Sequence, residues 1–143
     1  MTNSNSGIRW TFWVIVILAL IWHVLGALNF IMQMNVDSLA SMPETHRAII
    51  VDRPIWATAG FALAVFAGAL GCVLLLARKS QAKYLFLLSL LGVLVQLIHT
   101  LKIAGSSVQF GTMEGFMMIA SPVLVVLLLL WFTHRAHKRG WLT

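Results

Sequence analysis

Four long apolar runs, separated by short polar segments, dominate the chain. They extend from about Trp10 to Gln33, Pro54 to Ala77, Tyr84 to Ala104 and Gly115 to Thr133. An α-helix needs roughly 20 apolar residues to cross the hydrocarbon core of a bilayer, and each run is about that length or longer. The pattern predicts an all-α integral membrane four-helix bundle that forms one domain over residues 1–143. The first run exceeds the roughly 7–15 apolar residues of a secretory signal, and Leu25 before Ala27 makes a poor cleavage site, so it is expected to be a spanning helix. Trp10, Trp13, Trp56, Tyr84, Trp131 and Trp141 fall near the run ends, where aromatic side chains favour the membrane interface.

The longest connection, about Asn35 to Arg53, joins the first two spans. Within it, Ser41, Met42, Pro43 and Glu44 have the Ser-x-x-Glu form of a capping box, which predicts a short surface helix on the outer side between helices 1 and 2. Ile49, Ile50 and Val51 would cover the bundle mouth or the membrane, leaving Glu44, His46 and Arg47 wetted.

Composition strengthens the membrane reading, since 60% of residues are hydrophobic and only 10% are charged. An average soluble domain carries about a quarter charged residues, and so few could not cover a water-exposed surface. The net charge of +6 does not mark a nucleic-acid protein, because the ten Lys and Arg residues flank the apolar runs and form no basic domain. Their distribution sets orientation instead. Arg9, Arg78, Lys79, Lys83, Arg135, Lys138 and Arg139 lie on one side, and Arg47, Arg53 and Lys102 on the other. Loops rich in Lys and Arg are retained in the cytoplasm, so both termini are expected there, N-in/C-in. Cys72 is the single cysteine and lies in an apolar run, which excludes an intramolecular disulfide and a thiolate metal cage.

Polar residues inside the runs carry the candidate chemistry, because polar groups are costly in lipid and should face the bundle interior. In the third run Ser89, Gly92, Gln96 and His99 recur at helical spacing, and Lys102 extends the stripe toward the outer rim. Ala19, His23, Gly26, Asn29 and Gln33 form a comparable stripe in the first run. Together they outline a polar vestibule open to the outer side, with His23, Asn29, Gln33, Ser89, Gln96, His99 and Lys102 as candidate binding residues. Counted from the inner ends of the spans, His23 and His99 come within roughly 5 Å of each other in depth. That keeps a bis-histidine haem in view beside simple interhelical hydrogen bonding. In the second run Gly60, Ala64 and Gly68 make a small-xxx-small series continued by Gly71, a packing face for a helix of this chain or of a second copy. The fourth run is nearly uniform Val and Leu beyond Ser121 and Pro122, with a kink expected at the proline.

The sequence carries no phosphate-binding Gly-rich loop, HExxH, CxxC or GxSxG motif, and no paired carboxylates within a run. No enzyme activity, catalytic residue, metal or cofactor is therefore assigned. The chain does resemble a family of small four-helix bacterial membrane proteins that often carries the label "sugar transporter". The resemblance covers most of the chain and rests on Trp22, Gly26, Pro54-Ile55-Trp56, Gly68 to Lys79, Ser89 to Gln96 with His99, and Gly140-Trp141-Leu142. It implies a bacterial inner-membrane location and solute transport or sensing. Two other uses of such a bundle stay open: an accessory subunit of a larger membrane complex, and a haem- or quinone-binding redox protein. The expected partners are the lipid bilayer, further copies of the chain or a larger complex, and a small-molecule ligand of unknown identity.

Overall fold

The structure, a computed structural model, describes residue 8 and residues 10–106 and 112–143. Among these it is entirely helical: α1 (Trp10–Met34), α2 (Val36–Ala40), α3 (Glu44–Val51), α4 (Ile55–Leu76), α5 (Ala82–Ser106), α6 (Thr112–Gly115), a π-helical turn (Phe116–Ala120) and α7 (Ser121–Lys138). Four stretches are long and apolar enough to cross a membrane: Trp10–Met34, Ile55–Leu76, Ala82–Lys102 and Phe116–Lys138. Their outward faces carry large apolar side chains such as Ile17, Leu18, Leu28, Leu70, Leu91 and Leu128, all half exposed or nearly so, as lipid contact requires.

The α4–α5 hairpin is the centre of the bundle, and small residues set its closeness. A Cβ added at Gly92 would lie 2.5 Å from both the Ala64 nitrogen and the Gly60 oxygen, and one at Gly60 would lie 2.7 Å from Val95 Cγ1. The backbones are therefore in direct contact there, and Ser89 Oγ donates to Ala64 O at 2.6 Å across the same seam. Gly71 makes room for the Phe86 ring of α5, whereas Gly68 faces the other way and receives the His23 ring of α1. The four small residues of α4 are thus divided between two neighbours within the chain.

One end of the bundle is filled. Phe12, Val16, Cys72, Leu75, Ala82, Phe86, Leu129 and Ala136 form its core together with Trp141 and Leu142 from the tail. Both helices that stop here end in a Schellman arrangement. Arg78 (φ 60°) and Gly140 (φ 70°) take the left-handed position, and Lys79 N–H donates to Leu74 O as Trp141 N–H does to Ala136 O. Glycine adopts this conformation freely, but Arg78 needs compensation. Its Nε donates to Trp141 O at 2.9 Å, and its carbonyl accepts from Thr143 N at 2.7 Å while Ser80 N donates to Thr143 O at 2.8 Å. The tail is thereby latched to the α4–α5 turn.

The fourth helix runs past Thr133, where its apolar run ends, to Lys138, and Arg135, His137 and Lys138 in its last turn complement the helix dipole. One expectation needs correction. The capping box does not form. Ser41 closes α2 and its hydroxyl donates back to Ser38 O at 2.7 Å, so α3 begins at Glu44, after Pro43, without a side-chain cap. The extra turn α2 arises because Asn35 Oδ1 accepts from Asp37 N and Ser38 N. Arg9, counted above for orientation, lies outside the described residues.

The fourth span owes its π turn to Pro122. A proline inside an α ladder clashes with the carbonyl four residues back and offers it no N–H. Here Ser121 N–H reaches Phe116 O, five residues back, and the Met117 carbonyl left over accepts the Ser121 hydroxyl at 2.6 Å. The helix accommodates the proline by taking in one extra residue.

Candidate functional site

At the end opposite the tail the four spans part around a cavity of about 400 Å3, within the ~300–1,000 Å3 range of small-molecule sites. From α1 come Trp22, His23, Leu25, Gly26, Asn29 and Gln33. The hairpin supplies Phe61, Ala64 and Val65 from α4 and Ser89, Val93, Gln96 and Thr100 from α5. Met117, Met118, Pro122 and Val126 form the wall on the fourth span. Met42, His46, Ile49 and Ile50 close it from the α2–α3 segment, so His46 faces the cavity while Glu44 and Arg47 stay exposed.

Five of the seven expected binding residues line this cavity: His23, Asn29, Gln33, Ser89 and Gln96. His99 and Lys102 do not. The His99 ring meets Trp56 edge-on at 5.9 Å, and its Nε2 donates to Ile49 O at 3.1 Å, tying α5 to the end of α3. Lys102 Nζ lies 5.9 Å from the centre of the same Trp56 ring. His23 is buried with its Nδ1 donating to Ala19 O at 2.9 Å, and Cys72 Sγ lies 3.8 Å from the same nitrogen. Both imidazoles are thus held by backbone carbonyls and not by Gln96, Ser89 or Asn29.

The two histidines are not at similar depth. His23 lies against Gly68 and His99 against Trp56, twelve residues apart on α4, about 18 Å along the axis. Counting from span ends assumes that all helices start level. In fact α1 begins deeper, where Phe12 packs on Phe132 and Trp141. One iron cannot be reached by both rings, so the bis-histidine arrangement falls. Among the described residues no group of three or more His, Cys, Asp or Glu side chains could hold a metal ion.

The residue that sequence reasoning missed is Arg53. It lines the cavity just before α4, with Nη1 donating to Gln33 Oε1 at 2.8 Å and Nε donating to Thr58 Oγ1 at 3.2 Å. Its guanidinium carbon lies 5.4 Å from the centre of the Phe61 ring. Burial pushes its pKa down from the ordinary arginine value, yet a guanidinium stays charged over the physiological range. Among the described residues, Arg53 Nη2 is the buried side-chain polar atom with no hydrogen-bond partner. No carboxylate among the described side chains lines the cavity, and Asp37, Glu44 and Asp52 are exposed.

These features define an all-helical protein with four helices of membrane-spanning length and composition, packed tightly at one end and parted around a polar-edged cavity at the other. Comparison of the chain with protein-family profiles, with curated proteins and with solved structures returns no match.

Proposed function

We propose that the chain is a bacterial inner-membrane protein that binds a small solute in an outer vestibule, as a transporter or as a solute sensor. The observation that carries this reading is the cavity itself: a packed core would need none, and its wall combines apolar surface with Gln33, Gln96, His46 and Arg53. Such a mixture is typical of small-molecule sites. In this reading the tail end lies in the cytoplasm with both termini, following the excess of Lys and Arg there, and the α3 end faces outward. One chain forms the cavity, so binding requires no second copy. A complete route across the bilayer would draw on two or more copies, because one bundle of this size is closed at the tail end by its core.

Gln96→Leu tests the vestibule, since leucine removes the amide from the cavity wall and remains compatible with a membrane helix. Solute binding measured by calorimetry in nanodiscs should weaken severalfold while the melting temperature stays near that of the wild type. Unchanged affinity for a solute that binds the wild type would refute the role of this wall. Orientation is tested separately by cysteines at Ser80 and Ser41. A membrane-impermeant thiol reagent applied outside should label position 41 and not position 80, and labelling of both from one side would overturn the topology.

A further inference from the structure

The vestibule contains one side chain of fixed formal charge among those described, and no described carboxylate neutralises it. A guanidinium removed from bulk water costs free energy unless it is paired. Gln33 and Thr58 supply neutral acceptors to Nη1 and Nε, whereas Nη2 has none. The neutral partners fix the plane of the group and leave its charge uncompensated, which suits a guanidinium held ready for a ligand acceptor. Around it the wall changes character. Gln33, Asn29 and His46 accompany Arg53 toward the α3 end, and Phe61, Val65, Val93 and Val126 line the cavity with apolar surface.

We infer that the ligand of this vestibule is an organic anion with an apolar body, its carboxylate or phosphate group on Arg53 and its hydrocarbon part against Phe61, Val65, Val93 and Val126. The inference rests on the vestibule reading and specifies its ligand class. An uncharged sugar would leave the half-buried charge unpaired, and a cation would be repelled by it. The same chemistry is offered by a water-borne organic acid and by an anionic amphiphile already in the bilayer.

The test uses the full chain in nanodiscs of zwitterionic lipid, with decanoate, decyl phosphate, decanol, decylamine, benzoate and glucose as probes. Decanoate or decyl phosphate should bind at least about tenfold more tightly than decanol, and decylamine should not compete. Arg53→Gln should remove that preference, and Arg53→Lys should keep part of it. The wild-type comparison of anion with alcohol decides the matter even if Arg53→Gln fails to fold. Benzoate binding as tight as that of decanoate would indicate a water-borne acid, and decanoate alone a bilayer-borne one. Both results support the anion. Equal binding of decanol and decanoate, preference for decylamine, or binding of none of the anions overturns it. Glucose binding without anion binding would sink the inference and leave the vestibule reading standing.

Discussion

Gly92→Ala is the sharpest test of the α4–α5 seam. The new methyl group would meet the Ala64 nitrogen and the Gly60 oxygen at 2.5 Å and the Ala64 Cα at 3.0 Å, and all three belong to a helix backbone that cannot rotate away. Restoring ordinary contact at about 3.5 Å requires the two helices to part by about 1 Å. That separation would stretch the Ser89 Oγ–Ala64 O bond, now 2.6 Å, out of hydrogen-bond range. Overpacking costs about 1–3 kcal/mol, and the lost interhelical bond adds about 0.6 kcal/mol. Replacing glycine by alanine in a helix returns about 1 kcal/mol. The balance is a destabilisation of roughly 0.6–2.6 kcal/mol, read as a fall of a few degrees in thermal unfolding in detergent at ~2–4 °C per kcal/mol. If parting the helices breaks the Ser89 bond, Ser89→Ala should cost little in the Gly92→Ala background. A Gly92→Ala protein melting at or above the wild-type temperature would refute the close approach.

Gly68→Ala should also destabilise, but here the obstacle is the His23 ring 2.0 Å from the added Cβ, so His23→Ala in the same chain should recover part of the melting temperature. Independent, additive losses would show that the two residues do not touch. Trp141→Ala removes a buried indole that packs on Phe12 with ring centres 6.0 Å apart. A loss of about 3–5 kcal/mol is expected, seen as a marked drop in folded yield, and a yield equal to wild type would refute the latch. His99→Leu cuts the bond to Ile49 O and should speed hydrogen exchange in α3, with a stability loss of about 0.6 kcal/mol and at most roughly 2. Exchange in α3 unchanged from wild type would show that His99 does not hold it.

The spans were legible because hydropathy over 20 residues is a long, redundant signal that no single contact can override. The polar stripes were legible as faces, since helical spacing alone puts Gln96 on the side of Ser89, but which neighbour each face meets depends on helix offsets. His99 shows this: it shares the face of Gln96, yet Thr100 continues the cavity wall, whereas His99 turns aside and holds α3 beside Trp56. Arg53 escaped because an arginine in the longest connection reads as an ordinary flanking charge, and its hydrogen-bond partner Gln33 lies twenty positions earlier. The one local hint was its position directly before Pro54-Ile55-Trp56, with Thr58 a helical turn ahead. Met117 and Met118 gave no signal as a pair. Regular α-helical spacing would not set two adjacent residues on one narrow wall.

The π turn in the fourth span makes the cavity sensitive to chain length in a way that substitutions are not. One residue of an α-helix turns the chain by about 100°. Deleting a single residue from Phe116–Ala120 would take out the extra residue of the π turn and rotate everything before the turn by that angle relative to Pro122 and Val126. Met117 and Met118 would no longer face inward together, although no side chain of the wall had been exchanged. The fourth span thus works as a vernier whose setting is one residue. Insertions or deletions in it should be far more disruptive to ligand binding than conservative replacement of either methionine.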